Sequence, residues 1–225
     1  MKKEYLSALT NKQIFDKGDQ IYLKRRIFIT FQNLIKTFFN QDIKSFKKIL
    51  DLGAGDKTFA RVVKENKIDC VGLDIQDIDL EYQKINFENE HFDLVTGISL
   101  IEHIFNPTNF LTESFRVLKK DGFLILVTPD WEYSFKNFYN DPTHIRPYTQ
   151  KSLKFLLKSF GYHEIKIVPW LVCKPPWLWK VPLSFFIARN LPFRHNNNKF
   201  IPDFLKGKSK TLLVICRKSS SDIKK

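Results

Sequence analysis

Lys47-Lys48-Ile49-Leu50-Asp51-Leu52-Gly53-Ala54-Gly55-Asp56, followed by Val71-Gly72-Leu73-Asp74, decides the fold. An apolar run ends in an acid, turns through two glycines and enters a helix predicted to start at Thr58. A second apolar run ends in another acid. A parallel α/β sheet builds a nucleotide site this way, at the carboxyl ends of neighbouring strands. The glycines let the backbone approach a ligand, and the second acid can grip both hydroxyls of a ribose.

Two common nucleotide loops fit poorly. A dinucleotide fingerprint needs a third glycine where Thr58 stands, and a Walker loop needs Gly-Lys-Ser/Thr, which is missing here. Asp51 and Asp56 would repel a pyrophosphate, whereas a carboxylate beside an amine or a sulfonium is favourable. The charges therefore favour S-adenosylmethionine. The bland alternative is a strand-turn-helix corner without a ligand. Asp74 weighs against it, because it falls where a ribose needs an acid.

The segment resembles the first motif of the class I S-adenosylmethionine-dependent methyltransferases, in particular the small-molecule group that includes quinone and saccharide O-methyltransferases. Phe92 to Ile104, ending in Glu102-His103, looks like the family's fourth strand and its Glu-His ending. Asn106-Pro107 through Asp121-Gly122 looks like the next helix and turn, and Phe123 to Pro129 like the fifth strand. The ordered set covers roughly residues 46–168.

Composition agrees with a single α/β domain. A chain of 225 residues, 43% hydrophobic and with 22 phenylalanines, can bury a sizeable core. Cys70, Cys173 and Cys216 are scattered without metal-ligand spacing, so a reduced cytoplasmic compartment is expected. The start, MKKEYLSALTNK, has two lysines but no apolar run of a signal peptide. The net charge of +13 comes from lysines spread along the whole chain, which reads first as a solvated surface. Membrane contact comes second and RNA third.

Apolar positions from Ile21 to Phe39 recur at steps of three and four, predicting a helix within a 1–45 extension. Residues 48–52, 69–74, 92–98 and 122–128 read as buried parallel strands, with helices near 58–66 and 108–119. Thr149 is a plausible cap for a helix over 150–160 that ends at Gly161. Strands near 162–168 and 210–217 follow, then a tail over 218–225. The alternation implies a Rossmann-like, doubly wound sheet, mostly parallel with helices on both faces. The resemblance adds seven strands, the last antiparallel between the fifth and sixth.

The resemblance also distributes site roles. Gly53, Ala54 and Gly55 pass the methionine part of the cofactor, and Asp51 bonds loop amides or reaches the cofactor amine. Asp74 holds the ribose through a charge-assisted pair of bonds, with Ile75 beside the adenine. Asn86 and Phe87 are the expected adenine contacts, against an ordinary turn asparagine. Ser99, Glu102 and His103 lie beside the sulfonium and the acceptor. Some quinone enzymes of the group carry an acid where Ser99 stands and use it with the Glu-His pair to hold a metal. With serine here, no metal is expected.

The run Asn140-Asp141-Pro142-Thr143-His144-Ile145-Arg146-Pro147-Tyr148-Thr149 packs an acid, a histidine, an arginine and a tyrosine between two prolines. In related small-molecule enzymes a histidine here faces the acceptor. His144 can act as a base, since its unperturbed pKa lies near ~6.5, or it can fix the loop through a backbone bond. Arg146 either binds an anionic acceptor or pairs with Asp141.

Residues 169–209 hold prolines and tryptophans, including Pro175-Pro176-Trp177-Leu178-Trp179-Lys180, and are longer than a hairpin needs. Lysines and prolines break the run too early for a membrane span. It reads first as a substrate lid or packed core extension, and next as a peripheral contact through 169–193 with the inner face of the membrane. The expected activity is methyl transfer to oxygen on a small-molecule, saccharide or lipid-linked acceptor. The alternatives are an RNA methyltransferase, for which no separate RNA-binding module is visible, and a non-catalytic cofactor-binding protein. Nothing in the chain fixes its oligomeric state.

Overall fold

The structure, a computed structural model, describes residues 17–171, 174–193, 202, 205 and 208–219. The start of the N-terminal extension, part of the 169–209 insert and the end of the tail lie outside the described residues.

Helix α1 (Lys17–Phe39) leads in. It ends where Asn40 turns left-handed, at φ 53°, and a 3-10 turn (Ile43–Ser45) capped by Asp42 follows. Strand β1 (Lys48–Leu52), helix α2 (Thr58–Glu65) and strand β2 (Asp69–Leu73) form the first βαβ unit. Then come β3 (Phe92–Ile98), a 3-10 turn (Ile101–His103), α3 (Thr108–Val117) and β4 (Leu118–Pro129). Helix α4 (Trp131–Phe138), α5 (Gln150–Ser159) and β5 (Tyr162–Pro169) precede a 3-10 turn (Pro176–Lys180), α6 (Ser184–Asn190) and β6 (Thr211–Lys218). Thr149 and Ser152 form a reciprocal capping box at α5, and Gly161 follows that helix with φ 85°.

The strand order is β2-β1-β3-β4-β6-β5, a six-stranded sheet. β1 to β4 are mutually parallel, and β6 runs antiparallel between β4 and β5. Each central strand feeds both faces. Phe123, Ile125 and Val127 of β4 join Phe31, Leu34 and Phe59 from α1 and α2, while Leu124 and Leu126 join Phe110, Leu153 and Leu157 from α3 and α5. The side-chain period of two divides the core between the two helical layers.

The seventh strand is not seen among the described residues. The segment between β2 and β3, where it was expected, runs through turns and bends. Side chains of α3 bond several of its backbone groups. Ile85 N–H donates to Glu113 Oε2 at 2.8 Å, and Arg116 donates to the Ile85 and Phe87 carbonyls, both at 2.8 Å. Asn109 Nδ2 donates to the Leu80 and Gln83 carbonyls at 3.0 and 2.8 Å.

Helix α4 was not expected. It starts at the N-cap Asp130, which also accepts from Arg189 Nη2 of α6 at 2.6 Å. Part of the insert is core: Leu171, Leu178, Trp179 and Ala188 are buried with α1 and the β5–β6 edge, and Trp179 Nε1 donates to the Pro169 carbonyl at 3.1 Å. Among the described residues no helix is long and apolar enough to cross a membrane.

Candidate functional site

The corner between β1, β2 and α2 is built from backbone. Gly53 and Gly55 have φ of 71° and 53°, where an L side chain would be strained. Gly53 and Ala54 N–H donate to the Leu73 carbonyl at 2.8 and 3.1 Å, binding the loop to the end of β2. Gly72, not singled out from sequence, is the close approach that permits this. A Cβ there would lie 2.8 Å from the Ala54 Cβ. Asp56 takes the start of α2 by accepting from Thr58 N and Thr58 Oγ1 at 3.0 and 2.6 Å.

Asp74 stands at the end of β2 with one carboxylate oxygen on each side of the corner. Oδ2 accepts from Gly55 N–H at 2.6 Å and Oδ1 from Ile75 N–H at 2.7 Å. Each oxygen keeps a second lone pair for a ligand hydroxyl. Asp51 is buried beneath the loop, where its Oδ1 accepts from Thr96 Oγ1 at 2.7 Å. Burial pushes its carboxyl up to about 6, against the pull of the Thr96 bond. Asp51 is thus bound to β3 and not to the loop amides, and Thr96 is a further partner that the sequence did not disclose.

Asn86 is exposed in a bend, and Phe87 packs edge-on against Phe92 at 4.9 Å with its carbonyl held by Arg116. Ser99 is exposed with φ 50°, and its N–H donates to the Val127 carbonyl at 2.8 Å. That left-handed turn sends the chain from β3 into the 3-10 turn. Leu100 there comes within 3.0 Å of where a Gly53 Cβ would stand, so the glycine loop and the Glu102-His103 turn are neighbours.

The loop before α5 closes over that turn. Ile145 and Arg146 N–H both donate to the Glu102 carbonyl, at 2.8 and 3.0 Å. Glu102's side chain is fully buried, and neither of its oxygens has a hydrogen-bond partner. Burial pushes its carboxyl up to about 7, and its own backbone N–H and then the nearby Thr128 hydroxyl only partly oppose this. Two other orphaned hydroxyls, those of Thr128 and Tyr148, belong to the same neighbourhood.

His103 Nδ1 lies 3.1 Å from the Thr143 carbonyl and 2.9 Å from Thr143 Oγ1, whose own hydrogen goes to Asp141 Oδ1 at 2.5 Å. His144 Nδ1 lies 2.7 Å from the Phe138 carbonyl. A carbonyl only accepts, so in both neutral rings the proton sits on Nδ1 and Nε2 carries the lone pair. The two rings are 4.8 Å apart. Burial, then the neighbouring His144, holds the His103 pKa below the ordinary histidine value. Asp141 is taken by Thr143 N–H and Oγ1, while Arg146 is exposed. His144 therefore has the backbone bond expected of a loop-fixing residue, and its Nε2 faces Asp141 Oδ2 at 3.8 Å.

The insert reaches this side through Arg189. Its guanidinium bonds buried Asp130 and lies 3.3 Å over the Tyr133 ring and 4.9 Å over Phe185. Helix α6 is thereby clasped to α4, beside the loop that carries His144. Neither the clasp nor α4 carries a local sequence signal.

A six-stranded sheet, five strands parallel and β6 inserted antiparallel, with a glycine corner and acid at its carboxyl edge, defines a Rossmann-like methyltransferase fold. The chain belongs to the methyltransferase domain family, whose model matches residues 22–166. It is 22% identical over 207 residues to the uncharacterized methyltransferase YcgJ of Bacillus subtilis, covering 79% of this chain and 78% of that one. It is 25% identical over 96 residues to the ubiquinone biosynthesis O-methyltransferase of Pseudomonas entomophila, covering 34% of this chain and 41% of that one. The crystal structure of a SAM-dependent methyltransferase from Archaeoglobus fulgidus superposes with a TM-score of 0.54 at 19% identity, over 86% of this chain and 94% of that one.

Proposed function

We propose that the protein transfers the methyl group of S-adenosylmethionine to a hydroxyl of a small-molecule or saccharide acceptor. The observation that carries this reading is the Asp74 corner, set against two adjacent histidines whose Nδ1 atoms are held by backbone carbonyls. Asp74 keeps a lone pair on each oxygen for the two ribose hydroxyls, while its other lone pairs lock Gly55 and Ile75. Asp51 offers a carboxylate beneath the glycine loop for the cationic end of the donor. Asn86 and Phe87, with Ile75, line the adenine side, and Ser99 the sulfonium side.

The donor supplies an already activated methyl group, so the chain's own task is alignment, exclusion of water and removal of one proton. His103 or His144 accepts the acceptor's hydroxyl proton at Nε2 as oxygen attacks the methyl carbon. The Phe138 and Thr143 carbonyls hold the imidazoles in the tautomer this needs.

A specific observation favours a lipid-linked form of that acceptor. Trp177, Leu183 and Phe186 of the insert are 62%, 63% and 64% exposed, although their neighbours Leu178 and Trp179 are buried. Large apolar groups facing out beside the acceptor loop suit a bilayer interface.

The test is labelled methyl transfer over lipid, glycan, small-molecule and RNA fractions, alongside calorimetric titration with the donor. Asp74→Ala is expected to weaken donor binding about 100-fold, since two charge-assisted bonds are lost at roughly 1.5 kcal/mol each. Equal binding by wild type and variant would overturn the donor site. Label in RNA alone would replace the acceptor reading with the RNA one, and binding without transfer to any fraction would leave a binding protein.

A further inference from the structure

Three ligating side chains meet where the loop before α5 crosses the end of β3. Glu102, His103 and His144 each offer one ligand atom, and these atoms lie within 4.8 Å of one another. The second nitrogen of each histidine is already occupied, His103 Nδ1 by the Thr143 carbonyl and His144 Nδ1 by that of Phe138. A metal-bound imidazole is oriented in this way, with its far N–H on a backbone oxygen and its near lone pair directed to the ion. Glu102 supplies an independent observation. Its side chain has no solvent exposure and neither oxygen has a hydrogen-bond partner. A buried carboxylate left in that condition costs several kcal/mol. Other buried acids of the fold, Glu113 and Asp130, have a cation, Arg116 at 2.7 Å and Arg189 at 2.6 Å respectively. Glu102 has no such partner.

From this geometry we infer that Glu102, His103 and His144 form a binding site for a divalent transition-metal ion. Two imidazoles and one carboxylate favour zinc, manganese, iron or cobalt over magnesium and calcium, which prefer oxygen alone. Metal bonds of about 2.1 Å set ligand atoms roughly 3–3.5 Å apart. The cluster therefore tightens on binding by an amount that side-chain rotation supplies. Ser99 cannot contribute a carboxylate, and His144, arriving from a different loop, supplies the third ligand instead. Three protein ligands leave coordination positions open beside the acceptor loop. There a hydroxyl of the acceptor can bind and release its proton to water at lower pH, in place of the histidine base, since both Nε2 atoms are then ligands. The C–O bond then forms as the C–S bond breaks, with the electron pair staying on sulfur. This role for the ion rests on the proposed methyl-transfer reading, but its binding does not.

The test uses untagged full-length protein, stripped with a chelator and titrated with Co²⁺ as an absorbing probe and with Zn²⁺ by calorimetry. One equivalent of either ion is expected, with cobalt d–d bands of a nitrogen–oxygen site. Glu102→Gln and His144→Gln are expected to weaken binding at least tenfold while keeping the wild-type circular dichroism. His163→Gln, on β5 and outside the cluster, keeps full binding. Asp74→Ala loses donor affinity but keeps one equivalent of metal, which separates failure of this site from failure of the donor site. A wild-type protein that binds no cobalt overturns the inference, whatever the variants do. So does unchanged affinity in both folded variants.

Discussion

The donor corner and the acceptor side are held by different means. At the corner, the Asp74 carboxylate, the glycine-loop amides and the start of α2 have their partners within one βαβ unit. On the acceptor side, Glu102 is buried without a partner and two histidines are half-committed. There the neighbouring helices are joined by an ion pair spanning 59 residues of sequence. The difference suggests a division of work. A closed, backbone-made corner suits a ligand of fixed shape, and a polar pocket with open valences suits a ligand or ion still to arrive.

The largest expected effect tests the ion pair. Arg189→Met leaves Asp130, 1% exposed, as a buried charge without its cation and removes the ring stacking on Tyr133 and Phe185. Breaking one side of a buried pair costs about 3 kcal/mol. Adding Asp130→Asn should restore part of this, and urea unfolding of the two single variants and the double variant measures the coupling. Equal stability of wild type and Arg189→Met would show that the insert does not depend on its clasp.

Gly72→Ala probes the opposite side. The added methyl would approach the Ala54 Cβ to 2.8 Å, inside the loop that Leu73 holds. Overpacking of this kind costs about 2 kcal/mol, and because the strain falls on Gly53–Gly55, donor affinity should drop with stability. A loss of stability without a loss of affinity would separate the loop's packing from its binding role.

The two sides also differ in how much of them the sequence discloses. Asp51, Gly53, Gly55 and Asp74 lie within two short runs, so spacing alone places them on one edge. The continuous apolar run along 122–128 similarly announces β4 and its two-faced burial. Glu102 and His144 stand 42 positions apart, and only the resemblance suggested that they share a site. The orphaned state of Glu102 is a property of packing, which residue spacing does not carry. The Arg189 clasp depends on a loop conformation between distant elements. The seventh strand is not seen among the described residues, for a related reason. Arg116, Glu113 and Asn109 look like ordinary polar positions of α3, yet they bond the backbone of the 80–87 segment in its turns.

A pH titration sharpens the donor side further. The free protein's Asp51 protonates near about 6 because it is buried, and its ionised form is the one that attracts a cationic donor. Affinity for S-adenosylmethionine should therefore be flat above pH 7 and fall below pH 6, by at most tenfold per pH unit. Donor binding releases a proton in that window. Asp51→Asn should be weaker at pH 7.5 and lose the slope, as read by calorimetry in two buffers of different ionisation enthalpy. A slope that persists in the variant assigns the proton to another group.

The smallest expected change in stability comes from Phe186→Ser, on the insert. Phe186 is 64% exposed while Trp179, a few residues earlier, is 6% exposed in the core. Truncating an exposed side chain away from buried networks moves stability by no more than about 0.5 kcal/mol, so the variant should unfold as wild type does. Its partition onto vesicles of anionic lipid should nevertheless fall about tenfold, since a fully buried phenylalanine contributes roughly 2 kcal/mol and one at an interface somewhat less. Trp177→Ser should act in the same direction, and the two together should add. Trp179→Ala makes the necessary contrast, because it destabilises the fold by roughly 3 kcal/mol and so can lower vesicle binding only along with stability. If Phe186→Ser leaves partition unchanged, the outward aromatics belong to a soluble acceptor's entrance, and the lipid-linked form of the acceptor falls while the donor corner stands.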